Sequence, residues 1–200
     1  VTWIGKTIGI AIVLLVVALA VALGAAWRFR AVFAPDPTSI ARASLEAVRE
    51  QNELVPFAAR FVAVVTSEEK RFGLSAQKTL IMPGTVRYAI DLSKLRQRDV
   101  VWNSITKTLT VTLPPVQIEG PEVDLVAIRE YGQGGVLMAL TSAEKDLDAA
   151  NRKTGQAELL RQARDPMPMK LAQDAARSAI ERSFALPLRA AGIEATVVAN

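Results

Sequence analysis

The stretch "TIGIAIVLLVVALAVALGAAW", Thr7 to Trp27, contains no charged residue. Few surroundings accept a helix that is apolar all the way round. At ~1.5 Å per residue the run reaches roughly 30 Å, the thickness of the hydrocarbon core of a bilayer. Trp3 and Trp27 stand where an aromatic belt would place them, and Lys6 and Arg28 bracket the ends. The stretch therefore predicts a single-pass anchor that contacts the lipid bilayer through Thr7–Trp27. "AVA" at Ala20–Ala22 has the small-x-small pattern of a cleavage site, but the run exceeds the ~7–15 residues of a signal h-region, so an uncleaved anchor is expected. Gly5 and Gly9 form a small-xxx-small pair at the edge of the span, read as a permissive terminus.

The rest of the composition mainly excludes. There is no cysteine and no histidine among the 200 residues. That removes disulfides, the usual zinc sites, and schemes that depend on imidazole or thiolate. The net charge is +4, but Lys6, Arg28 and Arg30 beside the apolar run supply three of those charges. The chain beyond Arg30 is nearly neutral, which points away from nucleic acid as a partner. By the positive-inside count, Arg28, Arg30 and Arg42 after the span favour a cytoplasmic domain over the side carrying Lys6.

After an anchor over residues 1–30 and a linker over residues 31–40, one domain is expected over residues 41–200. "FAPDPTSI" carries two prolines and a helix start at Thr38 or Ser39, with Ile40, Ala43, Ala47 and Val48 near one face of the helix. A strand is predicted over Pro56–Thr66, then a polar turn at "SEEKRFG" and a strand from Leu74 to Met82. Pro83-Gly84 reads as a bulge or corner, because proline cannot donate to a ladder and glycine tolerates an irregular backbone. Val86, Tyr88 and Ile90 then alternate with Arg87, Ala89 and Asp91, the period of a half-buried strand. Asp91 and Ser93 are placed to end it in an Asx-type turn.

Short strands are predicted at Asp99–Trp102 and in "TLTVTLPP", where Leu109, Val111 and Leu113 face one way. A further strand is expected over Val123–Tyr131, and "YGQGG" reads as a flexible turn. From Thr141 the period changes. Thr141 and Glu144 fit a capping box that opens a polar helix to about Arg164. "DPMPM" interrupts, and a second helix runs from about Pro168 to Leu186, ended by Pro187 and Gly192. Ala172, Ala175, Ala176, Ala179 and Ser183 form a narrow small-residue stripe on it, suited to close packing against a sheet. "IEATVVA" is a last strand. The fold class is α+β: a transmembrane helix, then one domain with a mixed or antiparallel sheet and helices packed on one face.

Three Ser-x-x-Lys patterns invite a catalytic reading: Ser67/Lys70, Ser104/Lys107 and Ser142/Lys145. On a helix this spacing sets a lysine one turn from a serine, and "KTG" at Lys153–Gly155 comes shortly after the third. The elements are similar to those of penicillin-binding proteins and serine β-lactamases. The spacing argues against that chemistry, because Lys-Thr-Gly lies on the same predicted helix rather than on a distant strand, and no Ser-x-Asn element exists. Ser142 and Lys145 remain the catalytic candidates of an alternative reading, an envelope-acting serine hydrolase. "YGQGGVLM" lacks the lysine of a phosphate-binding loop. Glu144 and Asp148 share a helix face and could hold a hard cation weakly, but a solvated face is expected. No cofactor and no metal site is predicted.

With "LIMPGTVRYAIDLSKL", "TLTVTLPPVQI", "NELV" and the Ala-rich helix before the last strand in view, the chain resembles a bacterial family known only as domain of unknown function 4230. The likeness runs from about Leu45 to Val198 and covers an ordered set of motifs. It implies an N-terminal membrane segment followed by one outward-facing domain, and it brings no catalytic residue. The expectation is a membrane-anchored, extracytoplasmic binding or interaction module at the cell envelope, with a protein partner or self-association.

Overall fold

The computed structural model describes residues 15, 17–22, 24, 35–133 and 135–200. Most of Thr7–Trp27, the Gly5/Gly9 pair and Gly134 lie outside the described residues. Leu15, residues 17–22 and Gly24 are helical and exposed. Among the described residues no helix is long and apolar enough to cross a membrane.

Helix α1, Pro37–Glu50, starts just before the Thr38/Ser39 position predicted and inside the expected linker. The Asp36 carboxylate accepts from the backbone N–H of Thr38 and Ser39, both at 3.1 Å, and Pro37 occupies the first helical position, where its missing N–H costs nothing. The buried stripe is Ala41, Ser44, Leu45 and Val48, so Ala43 and Ala47 face solvent, against expectation. Leu45 and Val48 carry the apolar area that decides which face turns inward. The buried Ser44 hydroxyl is satisfied by the carbonyl of Ile40 at 2.9 Å.

Strands β1, Glu53–Arg71, and β2, Leu74–Asp91, form one long antiparallel hairpin. The polar stretch "SEEKRFG" is mostly strand. Only Phe72 and Gly73 turn, with φ of 55° and 77°, the two positive values that a tight two-residue hairpin loop needs. The predicted corner at Pro83-Gly84 is also absent: Val62 pairs with Pro83 and Phe61 with Gly84 without a register shift. On its other side β2 pairs with β5, Gln117–Val123, from Gly84 onward, and with β6, Arg129–Gln133, up to Ile81. Pro83 sits in the gap between these two partners. Its carbonyl accepts from Asp124 N–H at 3.0 Å, and its nitrogen faces the same gap, so no ladder donor is lost. The single strand expected over Val123–Tyr131 is therefore two, separated by a 3₁₀ turn at Leu125–Ala127 that Asp124 caps by accepting from Ala127 N–H.

Asp91 ends β2 as expected, its Oδ1 accepting from Ser93 N–H at 3.1 Å. Beyond it lies a second sheet, not an extension of the first: β3, Val100–Asn103, pairs antiparallel with β4, Thr108–Val111, which pairs parallel with β7, Thr196–Ala199. The domain is α+β with an antiparallel four-stranded sheet and a mixed three-stranded one. Three helices complete it: α2, Gly135–Leu140, where only a turn was expected; α3, Ala143–Ala163; and α4, Pro166–Ala190.

Helix α4 continues through Pro187, which was expected to stop it. The last turn carries Leu188 into the core, and Gly192, at φ 76°, makes the true end. Gly192 N–H donates to Arg189 O and Ile193 N–H to Leu188 O, both at 3.0 Å, the paired bonds of a Schellman motif.

The core divides along the hairpin. Leu45, Val48, Ile90, Leu92, Leu109, Val111, Ile180, Phe184 and Leu188 join α1, the small sheet and α4. Val86 and Tyr88 meet Ala163 and Ala172 at the crossing of α3 and α4; of the expected small-residue stripe Ala172 and Ala176 are buried and Ala175 and Ala179 half-buried, while Ser183 is exposed. Leu80, Met82 and Leu159 bind α3 to the middle of the hairpin. There Gly84 allows close approach: an added Cβ would lie 2.8 Å from Leu159 Cδ1 and 3.2 Å from Glu122 O.

Candidate functional site

Even-numbered residues of β2 face the helices, and among Ala76, Leu80 and Met82 this row carries one lysine, Lys78. It is 7% exposed. An unpaired ammonium cannot stay charged in such a place. Three carboxylates answer it. Asp148 forms the closest ion pair, Glu130 lies at 2.9 Å and Glu144 at 3.9 Å, while Arg152 approaches Glu130 from outside at 3.8 Å. Burial by itself would lower the proton affinity of Lys78. The carboxylates of Asp148 and Glu130 more than offset that, and its pKa stands above the usual lysine value. Asn151, one turn further along α3, donates from Nδ2 to the Lys78 carbonyl at 2.8 Å, while its buried Oδ1 has no hydrogen-bond partner among the described residues.

Glu144 and Asp148 do share a helix face, as the spacing implied, but that face is turned onto Lys78. Among the described residues no group of three or more His, Cys, Asp or Glu side chains is arranged to hold a metal ion. The lysine was missed in the sequence. Its signal was present: a cation at an even position of a strand whose other even positions are apolar.

Ser142 is the N-cap residue of α3, one position after the predicted cap, and Thr141 instead accepts from Ala143 N–H and donates to Leu137 O. The Ser142 hydroxyl donates to Asp146 Oδ2 at 2.9 Å, a carboxylate that also receives Arg71 at 3.1 Å. Lys145 is exposed. The partner of the hydroxyl is thus an ion-paired carboxylate rather than an amine. Lys153, Thr154 and Gly155 lie on the same helix, with Gly155 buried against Met82. Ser67 and Lys70 point to opposite faces of β1, and Ser104 and Lys107 lie in the β3–β4 turn.

Several hollows mark the surface, among them one of about 610 Å³ lined by Lys107, Arg189, Glu194 and Thr196. A smaller one of about 180 Å³ opens at the seam of the two sheets, floored by Ile90, Pro114, Pro115 and Ala176 and edged by Gln173 and Arg177. Another lies over "AID", where Glu53, Asp91 and Glu119 gather. A hydrogen bond with Glu119, reinforced by their mutual repulsion, raises the Glu53 carboxyl above its ordinary value. Neither of these last two hollows places a nucleophile beside a base.

What the hairpin does offer is surface. Its helix-facing side is covered by α3 and α4, whereas the opposite side exposes Val62, Val64 and Thr66 on β1, across from buried Pro83 and half-buried Ile81 and Thr79 on β2. The hydroxyls of Thr66 and Thr79 bond each other at 2.9 Å. Arg60, bonded to Asp124 at 2.8 Å, and Arg87, at 3.1 Å from Glu122, border this apolar centre. The exposed apolar side chains of this face, Val62 and Val64, lie side by side on β1.

The family model for proteins of unknown function designated DUF4230 matches residues 46–198. The chain belongs to that family. No curated protein and no solved structure matches it.

Proposed function

We propose that this chain is a single-pass, membrane-anchored interaction module of the cell envelope, held by Thr7–Trp27 and presenting its α+β domain outside the cytoplasm without performing catalysis. The observation that carries the reading is the outward face of the β1–β2 hairpin, where exposed Val62 and Val64 stand beside half-buried Ile81 and are bordered by arginines. Anchoring rests on the uncharged run and its flanking Trp and basic residues.

The serine hydrolase alternative draws less support, because the Ser142 hydroxyl is spent on Asp146 and Lys145 does not reach it. Two assays test the reading together. Alkaline carbonate extraction of membranes should leave the full chain in the pellet, and a fluorophosphonate probe should leave Ser142 unmodified. Release into the supernatant would remove the anchor from the account. Specific labelling of Ser142 would make the protein an enzyme.

A further inference from the structure

The outer edge of β1 has a symmetry of its own. The Pro83 carbonyl points to Asp124, away from β1, so the odd-numbered residues of β2 face β5 and β6, and the even-numbered ones bond β1. Val62 lies opposite Pro83, which sends the backbone N–H and C=O groups of every even-numbered residue from Ala58 to Glu68 outward. Among the described residues one hydrogen bond reaches that row, from Gln162 Nε2 to Val62 O at 3.2 Å. The ladder is unbroken from Phe57 to Arg71 and irregular before it, beside Pro56. The midpoint of the unbroken stretch is Val64, which is 62% exposed.

An antiparallel strand related by a twofold axis through Val64 would use that whole stretch. Val64 would meet its own copy, Val62 would meet Thr66, and Arg60 would meet Glu68 on both sides of the axis. An axis through Val62 would bring Pro56 and its irregularity into the ladder, opposite Glu68. One through Thr66 would set Glu68 against Val64 and Lys70 against Val62. Only the Val64 register pairs opposite charges around an apolar centre. The present partners of these side chains, Asp124 for Arg60 and Lys70 for Glu68 at 3.0 Å, form exposed pairs that bind little and can be shared.

We propose that a second copy of this chain adds to β1 as an antiparallel strand centred on Val64, joining two four-stranded sheets into one. This names the partner in the interaction-module reading and rests on it. Sedimentation equilibrium of the full chain in detergent, as wild type and as Val64→Pro, provides the test. The Val64 nitrogen faces outward, so the proline removes a donor from the new ladder and none from the β1–β2 ladder. Wild type should be a dimer and the variant a monomer with an unchanged circular dichroism melt.

Because the chain has no cysteine, Val64→Cys supplies a second readout. Hydrogen-bonded antiparallel partners stand ~5.5 Å apart at Cα, within the span of a short bis-maleimide, so that reagent should yield a covalent dimer that Val101→Cys on β3 does not give. A wild-type monomer, a dimer indifferent to Val64→Pro, or a Val64→Cys chain that stays uncrosslinked would each overturn the proposal. None of these outcomes bears on whether the chain partitions with membranes, which the carbonate assay reads separately.

Discussion

The phenolic hydroxyl of Tyr88, near the end of β2, donates a 2.8 Å hydrogen bond to the carbonyl of Ala163 at the end of α3. The last carbonyls of a helix have no intrahelical partner, and a buried one must find another donor. Tyr88 is fully buried, and burial raises its pKa, which keeps the phenol protonated as a donor across the physiological range. Tyr88→Phe removes the donor and leaves the carbonyl orphaned with the ring still in place. A loss of about 1–2 kcal/mol in denaturant unfolding is expected.

The ion cluster at Lys78 makes stability depend on alkaline pH. Its folded pKa is raised, so the cluster's contribution is complete below the unfolded lysine value, ~10.4, and is lost as the pH rises through the higher folded value. Wild type should therefore lose stability above about pH 10.4 more steeply than Lys78→Met, whose methionine cannot titrate. Near neutral pH the same substitution leaves Asp148, Glu130 and Glu144 facing one another. It should cost about 1–3 kcal/mol, below the figure for a fully buried pair because the carboxylates are partly exposed. Urea midpoints of the two proteins at neutral pH and on both sides of the lysine titration check both statements.

Gly84 of β2 sits against Leu159 of α3. In Gly84→Ala the new methyl would meet Leu159 Cδ1 at 2.8 Å, which can swing aside, and Glu122 O at 3.2 Å, which belongs to the β5 backbone and cannot. Overpacking of about 1–3 kcal/mol is expected, read as a lower melting temperature. Leu159→Ala alone should cost more, as a buried leucine lost from the core, and the double variant should cost less than the sum of the two single losses, since the truncation removes one of the two contacts.

Gly192 closes α4 at φ 76° with open space around its α-carbon. Gly192→Ala therefore tests backbone conformation alone, and should destabilise the domain by about 1 kcal/mol. Gly192→Asn, which tolerates the left-handed region better, should cost less in the same thermal melt.

The elements whose residues announce themselves by period or cap were legible in the sequence: the strand through Tyr88, the Leu109/Val111 strand, both long helices and the Asx turn at Asp91. What failed was local punctuation overruled by tertiary context. Pro83-Gly84 reads as a corner, yet the proline falls where β2 changes partners, a gap that no pattern within one strand reveals. Pro187 reads as a stop, yet packing of Leu188 carries the helix past it. "SEEKRFG" looks like a loop because it is polar, but a solvent-exposed hairpin arm needs no apolar face. The division into two sheets depends on pairings between distant segments, β4 with β7 above all. At the site, the spacing of Glu144 and Asp148 marked a shared face without showing that Lys78 lies beneath it. Ser142 and Lys145 were adjacent in pattern only.

Membrane presentation is the claim on which the functional account stands, and a topology fusion tests it most directly. Alkaline phosphatase is active only outside the cytoplasm, so the enzyme joined after Asn200 of the full chain reports the side on which the domain lies. The account predicts high phosphatase activity in the membrane fraction, lost when Leu14 and Leu15 are replaced by arginine to break the apolar run. An inactive fusion, or activity that ignores those arginines, would contradict it.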